Sequence, residues 1–449
     1  MSGEEKSLSD LGLTARGGRE ARVSGISVDS RAVMPGHLFA AMPGTKMHGA
    51  TFIDTALAQG AVAVLTDAEG ARLAEAALAE SDVALVIAAE PRAALAYACA
   101  LFFGAQPATM VAVTGTNGKT SVASFVRRLW QELGYRAVNL GTTGVEGDWQ
   151  APLRHTTPEP VTLHKALAEA AAAGVEHAAM EASSHGLDQR RLDGVQLGAA
   201  GFTNITQDHL DYHADFEEYF TAKAGLFARV LPEEGTAVIN IDDARGIDML
   251  AIARARGQEV LTVGESEGAD LRLLGQRFDA TGQELRLSWH GVVEQLRLNL
   301  IGGFQGQNAL VAAGLVIACG AEAEDVFRAL PRLETVHGRM QLAATRDSGA
   351  AVYVDYAHTP DAVATAIKAL RPHVMGRLIA IAAAENADLV IVTDDNPRSE
   401  EPGSIRAQVL EGAPEATEVG DRAEAILRGV DLLQPGDALL VCGKGHETG

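Results

Sequence analysis

The stretch VAVTGTNGKTSV at positions 111–122 constrains the fold more than any other. A β-branched, apolar run climbs to Gly115 and Gly118, then Lys119, Thr120 and Ser121 open a helix-compatible segment. A strand that ends in glycines and feeds a helix aims backbone N–H groups and a positive dipole end at an anion. Lys119 would reach the terminal phosphates of a nucleotide, and the Thr120 hydroxyl would ligate a magnesium ion. The spacing GxxxxGKT is not met in full, because Val113 occupies the first glycine position. A tight glycine turn with no ligand is the plain alternative; GKT at a strand-to-helix junction favours the phosphate.

Such a unit needs a parallel α/β sheet around it, and the chain supplies one. After MVAVTG come YRAVNLG, the alanine-rich helical stretch before Gly174, HAAMEAS and AAGFTNI, strands alternating with helices. LRLSWHG and QLRLNLIG then alternate with period two and read as antiparallel strands closing this block, followed by a helix at NALVAAGLVIACG. With 449 residues, more than one core is expected. The expected divisions are 1–105, with strands in GAVAVL and VALVIA and helices in FIDTALAQG and PRAALAYACALFF; 106–332; and 333–449, again α/β. A net charge of −22 argues against a nonspecific nucleic-acid or anionic-membrane surface. No apolar run is long enough to span a bilayer, and the N-terminus has no secretory h-region, so a cytoplasmic monomer is the default expectation. Cys99, Cys319 and Cys442 lie in no metal-ligand spacing and read as buried free thiols.

A phosphate loop alone fits a kinase, a GTPase or an ATP-driven motor. Two later strand ends narrow this. MEASSHGLDQRR (180–191) puts Glu181 at a C-terminal strand end, where open α/β sheets bind ligands, and FTNITQDHLDYH (202–213) offers Asp208, His209, Asp211 and His213 at another. A carboxylate and an imidazole beside nucleotide phosphates suit a divalent ion. Lys223, in YFTAKAGLF, reads by itself as a surface lysine laying its stem over apolar neighbours.

TGTNGKT, HTTPEP, MEASSHGLDQRR, TNITQDHLDYH, TAKAGLF, GGFQGQNALVAA, VHGRM and VDYAHTPDA occur in the order seen in the Mur ligases, which the chain resembles over nearly its whole length. The resemblance implies a three-domain α/β architecture: a UDP-sugar-binding N-terminal domain, a central P-loop parallel-sheet ATPase domain and a Rossmann-like C-terminal domain. It implies amide-bond formation driven by ATP and Mg²⁺, through an acyl phosphate, in peptidoglycan-precursor synthesis. UDP-N-acetylmuramoyl-L-alanyl-D-glutamate would be the acceptor. The motif Asp395-Asn396-Pro397-Arg398 implies meso-diaminopimelate as the incoming amino acid.

Residue by residue, the resemblance implies that Gly115, Thr116, Asn117, Gly118, Lys119, Thr120 and Ser121 hold ATP. Asn308, Arg339, Asp355 and His358 approach the nucleotide from other elements. Thr120, Glu181 and His209 would bind magnesium, together with Lys223 as a carbamate. Thr156, Thr157, Ser183, Gln189 and Arg191 would contact the dipeptide substrate, with Val28, Ser30, Thr45, Lys46 and Met47 near its uridine end. Asp395, Asn396, Pro397, Arg398, Gly443 and Glu447 would hold the amino acid, and domain closure would carry Asp355, His358 and Arg398 over the phosphate loop.

The chain departs from the family where GRLIAIAAAENADLVIV runs straight through: a glycine-rich stretch with Arg-Asp and Lys-Arg pairs is expected there. The sequence also ends at GKGHETG, sooner than the family pattern. Competing readings are another Mur ligase, including a lysine-adding one, a folylpolyglutamate synthetase-like ligase, and a nucleotide-binding regulatory module without catalysis. HTTPEP, the N-terminal block and DNPR argue against the second.

Overall fold

The computed structural model describes residues 5–44, 47–206, 212–358, 360–381, 387–394 and 401–443. Among the described residues, three larger sheets follow one another along the chain. The first is four-stranded and wholly parallel, Gly25–Ser27, His37–Ala40, Ala63–Thr66 and Ala84–Ile87 in sequence order. Helix Pro91–Phe103 leaves it; Pro91 pre-sets the first turn and Gly104, at φ 76°, ends it.

The central sheet has ten strands, and the phosphate-loop strand Thr109–Thr114 lies inside it. Its parallel neighbours are Ala199–Phe202 and His177–Glu181, with Ala137–Gly141 beyond the latter. This ordering brings four C-terminal strand ends together: Thr114, Gly141, Glu181 and Phe202. The antiparallel strands expected near the end of the block are Leu271–Asp279, Gly282–Trp289 and Val292–Leu298. The phosphate-loop helix, Lys119–Glu132, buries Val122, Phe125, Val126, Leu129 and Trp130 against the sheet and the Phe304–Ala318 helix. Each large side chain contributes roughly 1.5–3 kcal/mol on burial, so this helix is firmly fixed.

The chain leaving the central unit lies along that helix. Leu333 and Val336 are buried in the same core. Arg332 donates to Glu132 at 2.7 Å, Arg128 lies 3.1 Å from Glu334, and Arg339 donates to Thr120 Oγ1 at 3.2 Å. The strap therefore touches both ends of one helix.

The third sheet runs Gln341–Thr345, Ala351–Asp355, Ala438–Cys442, Leu378–Ile381, Leu389–Val392 and Thr417–Glu418, parallel except for its first pair. Asp355 pairs in register with Cys442, so their strand ends are side by side. Leu378–Ile381 and Leu389–Val392 are parallel neighbours joined by 382–388 alone. A parallel pair ordinarily takes a crossover of about a dozen residues or more, and this junction is the one where the family pattern expects extra sequence. Cys99 and Cys442 are buried, whereas Cys319 is only half-buried. Among the described residues, no helix is long and apolar enough to cross a membrane.

His164, on helix Pro160–Ala172, is buried beside the Pro91–Phe103 helix, and neither ring nitrogen has a hydrogen-bond partner among the described residues. Burial lowers its pKa from 6.5 to about 4. The unfolded chain takes up this proton near the ordinary value and the folded chain refuses it until about pH 4. Stability from this group is thus full above pH 6.5 and lost as pH falls, by about 3 kcal/mol across the whole window. Melting curves at steps from pH 7 to pH 4.5 should show a shallower decline for His164→Leu than for the wild type; parallel curves would refute this.

Candidate active site

Gly115 and Gly118 have φ of 152° and 90°. Both are also closely approached: an added Cβ on Gly115 would lie 1.9 Å from Thr203 Oγ1, and one on Gly118 would lie 2.5 Å from Asn308 Oδ1. Asn308 is held there by Gln305, at 3.1 Å. The loop is shaped from the neighbouring strand end. Thr203 Oγ1 donates to the Asn117 carbonyl at 2.7 Å, and Asn204 accepts the Thr116 and Asn117 amides, both at 2.9 Å, through its carbonyl and side-chain oxygens. The Thr116 hydroxyl meets Tyr219 at 3.0 Å and the Thr206 carbonyl at 3.1 Å. Thr116 and Asn117 are thus engaged in building the loop. Gly118, Lys119, Thr120 and Ser121 form the start of the helix, whose first amides have no intrahelical acceptor.

Lys119 Nζ donates to the carbonyls of Gly115 and Thr116, at 2.8 and 2.9 Å. Lys223 reaches the same Gly115 carbonyl at 2.7 Å. It is buried, 1% exposed, with Nζ 4.6 Å from the Tyr219 ring centroid. The surface-lysine reading is therefore wrong, because helix Phe216–Gly225 turns this side chain inward beneath the loop.

Glu181 is 1% exposed at the end of its strand. Its carboxylate accepts the Thr120 hydroxyl at 3.0 Å and the Thr142 amide at 2.9 Å. Thr142 Oγ1 also meets Thr156 Oγ1 at 3.0 Å. Thr142 thus links the carboxylate to the expected dipeptide contacts, a role the sequence reading missed; its one signal was its place at a strand end in GTTG. The carboxylate lies over Gly141, where an added Cβ would sit 1.9 Å from Oε1. Gly141→Ala should displace Glu181 and lower kcat/KM about 10²-fold, with a stability loss of about 1–3 kcal/mol by overpacking. Retained activity in a steady-state assay would refute it.

Hard oxygen donors, a carboxylate and a hydroxyl 3.0 Å apart at a helix start, suit Mg²⁺, which binds one or two carboxylates and completes its shell with phosphate and water. Among the described residues, no cluster of three His, Cys, Asp or Glu is arranged around a metal position. His209, Asp208 and Asp211 lie outside the described residues. His213 is buried among Tyr212, Tyr219 and His185.

The dipeptide candidates fall close together. The Thr157 hydroxyl donates to the Glu181 carbonyl at 2.8 Å and accepts the Ser183 amide at 3.0 Å. Ser183 caps helix Ser184–Asp188. Arg191 donates to the Thr157 carbonyl at 2.6 Å and to Gln189 Oε1 at 2.8 Å, and Gln189 donates to Tyr212 at 3.1 Å. Burial lowers the Arg191 pKa. In the loops that follow the first two strands of the first sheet, Ser30 is buried, and Val28 and Met47 are exposed. Thr45 and Lys46 lie outside the described residues.

From the third unit, Arg339 stacks on Tyr356, 4.5 Å to the ring centroid, while reaching Thr120. Asp355 accepts the Met340 and Ala357 amides at 2.7 and 2.8 Å, which fixes the turns carrying Arg339 and His358. Burial raises the Asp355 carboxyl pKa, against the pull of those amides and of Arg339. His358 is exposed, with Nδ1 2.9 Å from the Tyr356 carbonyl. Gly443, at φ 97°, follows Cys442 at the same sheet end. Asp395, Asn396, Pro397, Arg398 and Glu447 lie outside the described residues.

The comparisons agree with this arrangement. Residues 22–102 match the model of the Mur ligase family catalytic domain, 113–316 the Mur ligase middle domain, and 338–445 the Mur ligase glutamate ligase domain. A protein of Bradyrhizobium diazoefficiens (strain USDA 110), named UDP-N-acetylmuramoyl-L-alanyl-D-glutamate–2,6-diaminopimelate ligase, is 46% identical over 95% of this chain and 90% of its own. The protein of the same name from Caulobacter vibrioides is 47% identical over 95% of this chain and 91% of its own. A solved structure of a ligase of that name superposes with a TM-score of 0.75 at 31% identity, covering 99% of this chain and 94% of its own. On these matches, and on a phosphate loop, a buried carboxylate and a buried lysine meeting at adjacent strand ends, the chain belongs to the Mur ligase family.

Proposed function

We propose that this chain is an ATP-dependent acid–amino-acid ligase that joins meso-2,6-diaminopimelate to UDP-N-acetylmuramoyl-L-alanyl-D-glutamate in peptidoglycan-precursor synthesis. The observation that carries this reading is the 46–47% identity, along nearly the whole chain, to ligases of that name. Domain boundaries at 105/106 and 332/333 fit the three matched regions. ATP and a nucleotide-linked sugar as substrates support a cytoplasmic site of action, and a monomer is the simplest form able to carry out the reaction.

An amide does not form from a carboxylate and an amine in water without activation. The γ-carboxylate of the D-glutamate attacks the γ-phosphorus of ATP, the bond to ADP breaks, and an acyl phosphate results. The neutral amine then attacks the acyl carbon, loses its proton to a base or water, and phosphate leaves. The first step brings anions together, so the chain's work is mostly electrostatic. Lys119 and the amides at the helix start neutralise phosphate charge. Glu181 and Thr120, with His209, would hold Mg²⁺, which as a Lewis acid offsets charge on phosphoryl oxygens. Arg339, already against Thr120, would contact nucleotide from the third domain, with Asn308, Asp355 and His358 beside it. Thr156, Thr157, Ser183, Gln189 and Arg191 would hold the dipeptide carboxylates, with Val28, Ser30 and the Thr45–Met47 segment at the uridine. Asp395–Arg398, Gly443 and Glu447 would hold the amino acid.

Lys223 and Lys119 donate to one carbonyl oxygen. The buried Lys223 ammonium and the half-buried Lys119 ammonium repel at this separation, and the burial of Lys223 adds to the cost. Carbamylation of Lys223 by CO₂ would turn that repulsion into attraction and add a carboxylate-like ligand near the metal.

Phosphate release should require ATP, Mg²⁺, the UDP-dipeptide and meso-diaminopimelate together, with the tripeptide product seen by mass spectrometry. No product from that mixture would overturn the reading. ATP-dependent thermal stabilisation without any response to the UDP-dipeptide would favour a regulatory nucleotide-binding module.

A further inference from the structure

An open groove of about 680 Å³ lies between the phosphate-loop helix and the segment 143–152. Arg127, Arg128 and Gln131 line it from the helix, and Thr143, Glu146 and Gln150 line it from the opposite wall. Arg127 is part-buried. It donates to the Asn139 side chain at 2.6 Å and to Gln131 at 3.2 Å, both neutral acceptors. None of the ion pairs among the described residues includes it. Burial lowers its pKa, with Glu146 and Asp148 pulling the other way. Arg128 Nε and Thr143 Oγ1 are buried without a hydrogen-bond partner among the described residues. Arg128 Nε lies 3.8 Å from the Glu132 carboxylate, an ion pair beyond hydrogen-bond reach. A part-buried cation in no ion pair, and buried polar atoms without hydrogen bonds on the two facing walls, are costly unless a ligand satisfies them.

The signs on the walls specify the ligand. Two guanidinium groups on one side fit carboxylates, for which their planar forks are suited. Glu146 on the other side fits an ammonium. We propose that this groove binds an acidic amino acid, with its carboxylates on Arg127 and Arg128 and its ammonium on Glu146. Gln131, Gln150 and Thr143 complete the polar lining. The site has built-in competitors, because Arg128 also pairs with Glu334 at 3.1 Å and with Glu132 at 3.8 Å. A ligand that takes Arg128 loosens the strap leading to the third domain, which couples occupancy to the placement of Arg339.

The test is calorimetric titration of the full chain with L-glutamate. Saturable binding is expected, weakened about tenfold by Arg127→Met and by Glu146→Gln, the loss of one charge-assisted contact each. Glu334→Gln, which removes the nearer of the two carboxylates paired with Arg128, should tighten it. Glutarate, which lacks the ammonium, should bind more weakly than L-glutamate in the wild type and equally in Glu146→Gln. Glu146→Gln keeps shape and volume, so it decides the matter even if Arg127→Met fails to fold. Absence of saturable binding, an affinity unchanged in both variants, or glutarate binding as tightly as L-glutamate to the wild type would each overturn the proposal.

Discussion

Lys223→Ala should lower tripeptide formation by about 10³-fold, the scale of losing one preorganised charge at a phosphoryl-transfer site. Millimolar acetate or formate should restore part of it. The argument rests on position. Lys223 is buried, shares the Gly115 carbonyl with Lys119, and lies under the Tyr219 ring. If its role were to hold the loop as an ammonium, a free carboxylate added to the solution would not replace it, and Lys223→Arg would retain activity. If it acts as a carbamate, Lys223→Arg fails, because arginine forms no stable carbamate, and the small acid rescues the alanine variant through the space it leaves. Melting curves separate a folding defect from a chemical one. Wild-type-like turnover in the alanine variant, or a rescued arginine variant, would sink the carbamate.

Discrimination between meso-diaminopimelate and L-lysine should reach about 10⁴-fold in kcat/KM, because a site built to pair a carboxylate rejects an analogue lacking it. The two amino acids differ by that one group. Arg398 is the residue proposed to meet it, with a planar fork able to donate two parallel hydrogen bonds. Arg398→Met should remove most of the discrimination by slowing the diaminopimelate reaction, and leave ATP binding unchanged. Parallel phosphate-release assays with the two amino acids check both points. Preference for lysine would keep the ligase and reject the specificity; equal rates would mean that the carboxylate meets no such partner.

The alternation of strands and helices and the phosphate loop were legible because they rest on local chemistry. β-branched runs, glycines at φ 152° and 90°, and a helix start report themselves in Val111–Val122. Glu181 was legible as a strand-end carboxylate. Lys223 was not legible from its own neighbourhood, since a lysine among apolar residues reads the same whether it faces water or the core; only tertiary packing against Tyr219 and Gly115 decides. Thr142, Thr203, Asn204 and Tyr356 escaped for a related reason. Each acts through contacts with residues distant in sequence, as Asn204 does with Asn117 at 2.9 Å, and single polar or aromatic residues at strand ends are too common to single out. The engagement of the Thr116 and Asn117 amides belongs to the same class.

The strap along the phosphate-loop helix fixes where the third domain can pivot. At the rise of an α-helix, Thr120 to Glu132 spans about 18 Å, and the chain from Arg332 to Arg339 reaches about 25 Å at full extension. Anchored at both ends, with Leu333 and Val336 sunk between, it has little slack to pay out. A swing of the C-terminal sheet therefore has its fulcrum just after Arg339, beside Thr120, instead of somewhere in a loose tether. A wide arc at the far edge of that sheet becomes a small displacement at the fulcrum, so the lever is geared for fine adjustment where the phosphate is handed over.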